Sequence, residues 1–198
     1  MSYALRICGG TMTTLAAIQG DGWCTIGADS QASDESGFMM QIVTGKTFKN
    51  GPTLIAGAGA VRGINILQFG WSAPRYTGRS TDEYMTKVFI PSMRQAFIKA
   101  GYDMKDDGDV AYNDNNFIVA VKGSLYSIAE DYSWERCKRG LYVAGSGGKY
   151  ALGALGALQA EKAKNIEEAE KLLQKAIEVS IRWDAYSGGE VIIMSQRG

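Results

Sequence analysis

The sequence predicts an α+β fold, and three observations carry that prediction. Short apolar runs bounded by Gly, Pro, Asn and Asp recur in the first third of the chain and again around 117–129, which is the signature of strands and hairpins. Elsewhere apolar residues fall at helical spacing, most clearly Ile166, Ala169, Leu173, Ala176, Ile177 and Ile181. The resulting order (strands, helices, strands, helices, a last strand) fits two packed sheets with helix pairs outside. With 198 residues the chain can bury a sizeable core in one domain.

Each element has its own reason. Residues 13–19 and 23–29 are small and apolar on either side of Gly20-Asp21-Gly22, a hairpin signal. Residues 33–41 are polar and rich in Gly and Met, and are expected as a loop rimming a cleft. Lys46–Phe48 and Thr53–Ala58 flank Lys49-Asn50-Gly51-Pro52 and read as two more strands. A helix is expected around 64–70. Ser80-Thr81-Asp82-Glu83 is a capping box that opens a helical pattern to about Ala100, with Pro91 predicting a kink or two helices. Residues 103–116 are acidic and Asn/Gly-rich, hence a surface loop. Phe117–Val121 and Leu125–Ala129 make a second hairpin around Lys122-Gly123-Ser124, and Gly140–Val143 is a further strand. Tyr150–Glu161 reads as a small-residue helix. Asn165 and Glu168 cap the last helix, and Val191–Met194 closes the fold.

Composition excludes several functions. Lys+Arg and Asp+Glu are both 21, so no basic excess favours a nucleic-acid partner, and little charge repulsion keeps copies apart. There is no histidine, which removes Ser-His-Asp and Cys-His catalysis and His-containing zinc sites. Three cysteines without metal-type spacing fit a reducing compartment rather than a disulfide framework. No apolar run is long enough to span a membrane, and the opening residues lack a signal-peptide core. The expected place is the cytoplasm.

An enzyme built from this chain needs a base other than histidine. An N-terminal amine, with a reference pKa of about 7.7–8.0, is one. The first hairpin brings Thr13 beside Asp29, and Lys46 opens the next strand. A hydroxyl, a carboxylate and an ammonium thus converge near the chain start, the arrangement for a threonine whose own amine activates its hydroxyl.

These residues resemble the β-type subunits of the proteasome and the bacterial ClpQ-type (HslV-like) threonine peptidases. The resemblance rests on Thr13-Thr14-Leu15, on Gly27-Ala28-Asp29-Ser30-Gln31-Ala32 sixteen residues on from Thr13 to Asp29, on Lys46, and on Ile55-Ala56-Gly57. Two later segments add to it, Ala144-Gly145-Ser146-Gly147-Gly148 and Asp184-Ala185-Tyr186-Ser187-Gly188-Gly189. It covers 13–70 and 116–195, while 74–115 is generic.

The resemblance implies a four-layer αββα sandwich over residues 13–198, preceded by a leader of residues 1–12. It implies that Thr13 is the nucleophile, that Lys46 lowers the amine pKa by charge repulsion, and that Asp29 orients Lys46. Gly57 would offer its N–H to the oxyanion, and Ser146, Asp184 and Ser187 would orient the amine. Ala32, Thr44, Ile55 and Gly59 would line an apolar substrate pocket. No metal or organic cofactor is required. The substrate would be polypeptide, the assembly a homo-oligomeric ring, and the partner an ATP-driven unfoldase. Met12 precedes Thr13 where the family usually has glycine, so Thr11, after Gly10, is the alternative nucleophile. Two rival readings stay open: a catalytically silent structural subunit of a larger, even viral, assembly, and an amidase for small substrates.

Overall fold

Nearly every residue of the first strands is buried, and the layering explains why. The structure is a computed structural model that describes residues 12–33, 38–105 and 111–198. Strands β1 (Leu15–Gln19) and β2 (Trp23–Asp29) pair in antiparallel register, Leu15 opposite Ala28 and Gln19 opposite Cys24. They form the centre of a four-stranded sheet in the order β12-β1-β2-β13, with β12 at Leu141–Ala144 and β13 at Val191–Arg197. A five-stranded sheet, β11-β10-β9-β6-β5, packs on it. Its members are β5 (Thr47–Asn50), β6 (Thr53–Gly59), β9 (Asn115–Val121), β10 (Ser124–Ile128) and β11 (Trp134–Glu135).

Alternation along each strand divides three cores. Leu15, Ala17, Ile26 and Ala28 point between the sheets and meet Leu54, Ala56, Ala58, Ile118 and Ala120. The many alanines let the two sheets approach closely. The other face of β1 and β2 carries Ala16, Ile18 and Trp23 against helices α4 (Gly148–Ala157) and α5 (Ile166–Trp183). On the far side, Phe48, Ile55, Phe117 and Val119 meet α1 (Val61–Phe69) and the helical stretch from Thr81 to Lys99. Strands covered on both faces read as continuous apolar runs. The result is the four-layer αββα sandwich.

Three expectations are corrected. Of the kink or two helices expected at Pro91, the two separate helices are not seen, because the helical stretch is unbroken from Thr81 to Lys99. The stretch runs as α2 (Thr81–Tyr84), a wide π-turn (Met85–Phe89) and α3 (Ile90–Lys99), with the Ile90 N–H reaching back five residues to the Met85 carbonyl. The widened turn removes the clash that proline's ring would make with the preceding turn. The expected loop at 33–41 contains a small hairpin, β3 (Gln31–Ser33) with β4 (Met39–Gln41). The expected loop at 103–116 holds another, β7 (Met104–Lys105) with β8 (Ala111–Tyr112). Among the described residues, no helix is long and apolar enough to cross a membrane.

Candidate active site

The register of the first hairpin sets the site. Thr14, rather than Thr13, lies opposite Asp29: the Asp29 N–H donates to the Thr14 carbonyl at 3.3 Å, and the Thr14 N–H donates to Asp29 Oδ1 at 2.9 Å. Asp29 has no exposed surface. Its Oδ1 also accepts Lys46 Nζ at 2.8 Å, and its Oδ2 accepts the N–H groups of Gly188 (3.0 Å) and Gln31 (3.2 Å). An ionised carboxylate accepts at both oxygens, so four donors suit it. Burial pulls the Lys46 ammonium below the ordinary lysine range, and the charge and hydrogen bond of Asp29, with the charge of Asp184, partly offset that.

Thr13 is 2 % exposed. Its N–H donates to Ser146 Oγ at 3.3 Å, and its hydroxyl donates to the Met12 carbonyl. Ser146 Oγ in turn donates to Asp184 Oδ2 at 2.7 Å, and Ser187 Oγ donates to the same oxygen at 2.6 Å. Gly145 makes the Thr13 end of the strand possible. It has φ +82°, and a Cβ there would fall 2.1 Å from the Thr13 carbonyl oxygen. No other residue adopts that backbone at that distance without strain. The turn that follows starts α4, and the Gly147 N–H donates to the Thr13 carbonyl at 3.2 Å.

Thr13, Asp29, Lys46, Ser146, Asp184 and Ser187 therefore share one hydrogen-bonded constellation. Gly57 stands apart. Its N–H donates to the Lys46 carbonyl at 3.0 Å, so the oxyanion donor expected there is already committed. Its α-carbon is packed, with a Cβ position 2.7 Å from Ile64 and 2.9 Å from Phe117. The expected pocket residues are dispersed. Ile55 is fully buried in the helix-side core, and Thr44 is exposed with its carbonyl accepting from Gln68 Nε2 at 3.1 Å. Ala32 sits half-buried opposite Met40, and Gly59 pairs with Asn115. Ile55 fails as a pocket wall because parity on β6 turns it toward α1. Thr11 and the rest of the leader before Met12 lie outside the described residues. Burial pushes the Cys24 thiol up to about 12, which suits a core residue and not a nucleophile.

Sequence reasoning missed three contributors. Thr14 supplies both an N–H to Asp29 and a hydroxyl 2.7 Å from Ser187 Oγ. Gly188 and Gln31 hold the second oxygen of Asp29. The Gly-Gly after Ser187 was the signal for Gly188, and the Gln31 N–H, two residues after Asp29, closes the local turn that an aspartate makes with its own backbone.

The four-layer architecture is similar to that of proteasome-like proteins of known structure. By sequence, no family model and no curated protein matches the chain. By structure it is similar to BPH from Thiobacillus denitrificans in complex with epoxomicin, with TM-score 0.75 and 19 % identity over 93 % of this chain and 98 % of that one. It is also similar to eukaryotic HslV from Trypanosoma brucei, with TM-score 0.64 and 17 % identity over 94 % of this chain and 100 % of that one. A Gly-1 mutant of Anbu from Hyphomicrobium sp. strain MC1 gives TM-score 0.66 and 15 % identity over 93 % and 81 %. At these identities the likeness is one of fold.

Proposed function

We propose that the chain is a threonine-type endopeptidase that acts through Thr13 once the residues before it are removed. The observation that carries this reading is the Ser146–Asp184–Ser187 cluster bonded to the Thr13 nitrogen. An amine freed there has a serine hydroxyl and a carboxylate waiting to orient it. The amine takes the proton of the Thr13 hydroxyl, the oxygen attacks a peptide carbonyl, and the amine returns the proton to the leaving nitrogen. Water then hydrolyses the ester. Lys46 keeps the amine neutral, because a cation beside it disfavours a second one, and it supports charge growing on the oxygen. Subunits of this kind would act in a homo-oligomeric ring on polypeptide delivered by an unfoldase.

One observation favours a second reading, a silent structural subunit. In this chain Thr13 follows Met12, and its hydroxyl donates to the Met12 carbonyl, so the nitrogen is an amide and no base. The test is the intact mass of the purified native protein beside its Thr13→Ala variant. A mass starting at Thr13, lost in the variant, is expected, together with epoxomicin binding by the matured wild type only. A start at Thr11 moves the nucleophile there. A leader retained in both proteins, with no epoxomicin bound, establishes the silent subunit.

A further inference from the structure

Thr14 is the residue that joins the two halves of the site. It is completely buried, and each of its polar groups has a partner. Its N–H goes to Asp29 Oδ1, the oxygen that also holds Lys46. Its hydroxyl lies 2.7 Å from Ser187 Oγ. The direction of that bond follows from proton count. Ser187 has one hydroxyl proton and spends it on Asp184 Oδ2 at 2.6 Å, so Thr14 is the donor. A continuous path then runs from the Thr14 hydroxyl through Ser187, Asp184 and Ser146 to the Thr13 nitrogen.

A second observation points the same way. Gly147 has φ −77° and ψ −9°, a conformation open to any residue. Its glycine is explained by space. A Cβ there would fall 1.8 Å from Thr14 Oγ1, 2.9 Å from Ser187 Oγ and 3.1 Å from Asp184 Oδ2. The chain gives up an ordinary side chain at the start of α4, and the room it leaves is filled by the Thr14 hydroxyl.

We infer that Thr14 is a positioning residue for the Thr13 amine, acting through Ser187 and Asp184. This rests on the peptidase reading. Each hydroxyl proton aimed along the path takes up part of the Asp184 negative charge. Without the Thr14 hydroxyl, Ser187 polarises less and more of that charge reaches the amine. The ammonium form is then favoured, and the neutral base exists only at higher pH.

The experiment compares matured wild type with Thr14→Val and Thr14→Ser on a fluorogenic peptide across pH, with thermal melting as the folding control. Valine keeps the β-branched shape and removes the hydroxyl, while serine keeps the hydroxyl. Thr14→Val is expected to lower kcat roughly five- to tenfold, with KM unchanged, and to move the acidic limb of the pH profile upward. Thr14→Ser is expected to restore both. Gly147→Ala is expected to reproduce the Thr14→Val profile, and to cost less in a Thr14→Ala background, where the 1.8 Å contact is removed and those to Ser187 and Asp184 remain. A folded Thr14→Val with wild-type kcat and pH profile overturns the role. So does a Thr14→Val defect that Thr14→Ser fails to rescue, because packing then explains it. A wild type that releases Thr13 yet cleaves no peptide overturns the peptidase reading itself, and this role with it.

Discussion

Among the described residues, Asp29 is held from four directions and the Lys46 ammonium from one, so their removal has unequal costs. Lys46→Met takes away an ammonium and leaves Asp29 with the N–H groups of Thr14, Gln31 and Gly188. Asp29→Asn leaves a buried ammonium without its bonded counter-charge, with only the more distant Asp184 facing it, and turns an amide donor toward groups that are themselves donors. Breaking a buried pair from that side costs about 3–5 kcal/mol. Asp29→Asn is therefore expected to be the more destabilising by at least about 1 kcal/mol, measured by urea unfolding of the two variants. Much of this site was legible in the residues. Thr13, Asp29, Lys46, Ser146, Asp184 and Ser187 lie in one hydrogen-bonded group, Gly57 sits beside Lys46 with its N–H bonded to the Lys46 carbonyl, and Ile55 turns into the helix-side core. A motif names a residue, but the partner of a backbone N–H and the face a side chain takes are set by the neighbouring strand.

At the scale of elements, local chemistry was the most readable. Asn165 accepts the Glu168 N–H at 2.9 Å, and Ser80 accepts the Glu83 N–H at 3.3 Å, as their capping patterns predict. Asn165→Ala is expected to cost about 1 kcal/mol. In a chain of this size that is a melting shift of roughly 2–4 °C, checked by calorimetry. What could not be read locally was pairing across the chain. β12 lies beside β1, Leu15 opposite Ala144, and Leu141 and Ile18 share a core with Leu155 of α4 and Leu173 of α5. Nor did proline at position 91 announce a π-turn, since the residues flanking it, Met85, Phe89 and Met93, pack in one core that no local pattern reveals.

For the whole molecule, the helix-side core of the five-stranded sheet is rich in tyrosine. Burial pushes Tyr84 and Tyr102 up to about 12, and it raises Tyr126 and Tyr132 as well. Unfolded tyrosines ionise near pH 10. Between about pH 10 and 12 the unfolded chain therefore binds fewer protons than the folded one, and stability falls as pH rises. Thermal melting is expected to hold up to pH 9 and drop steeply above 10, less so in Tyr84→Phe and Tyr102→Phe. The layered architecture also sets an order of events. The Thr13 nitrogen meets Ser146 across 133 positions of sequence, and Thr14 meets Ser187 across 173. Half of the constellation, Ser146, Asp184 and Ser187, thus lies more than a hundred residues after Thr13. A ribosome-bound chain that has not yet released α5 and the turn after it holds a threonine with nothing to orient it. On the proposed reading, synthesis itself is the safety catch: no cutting edge exists until α5 and the turn carrying Ser187 have emerged and folded.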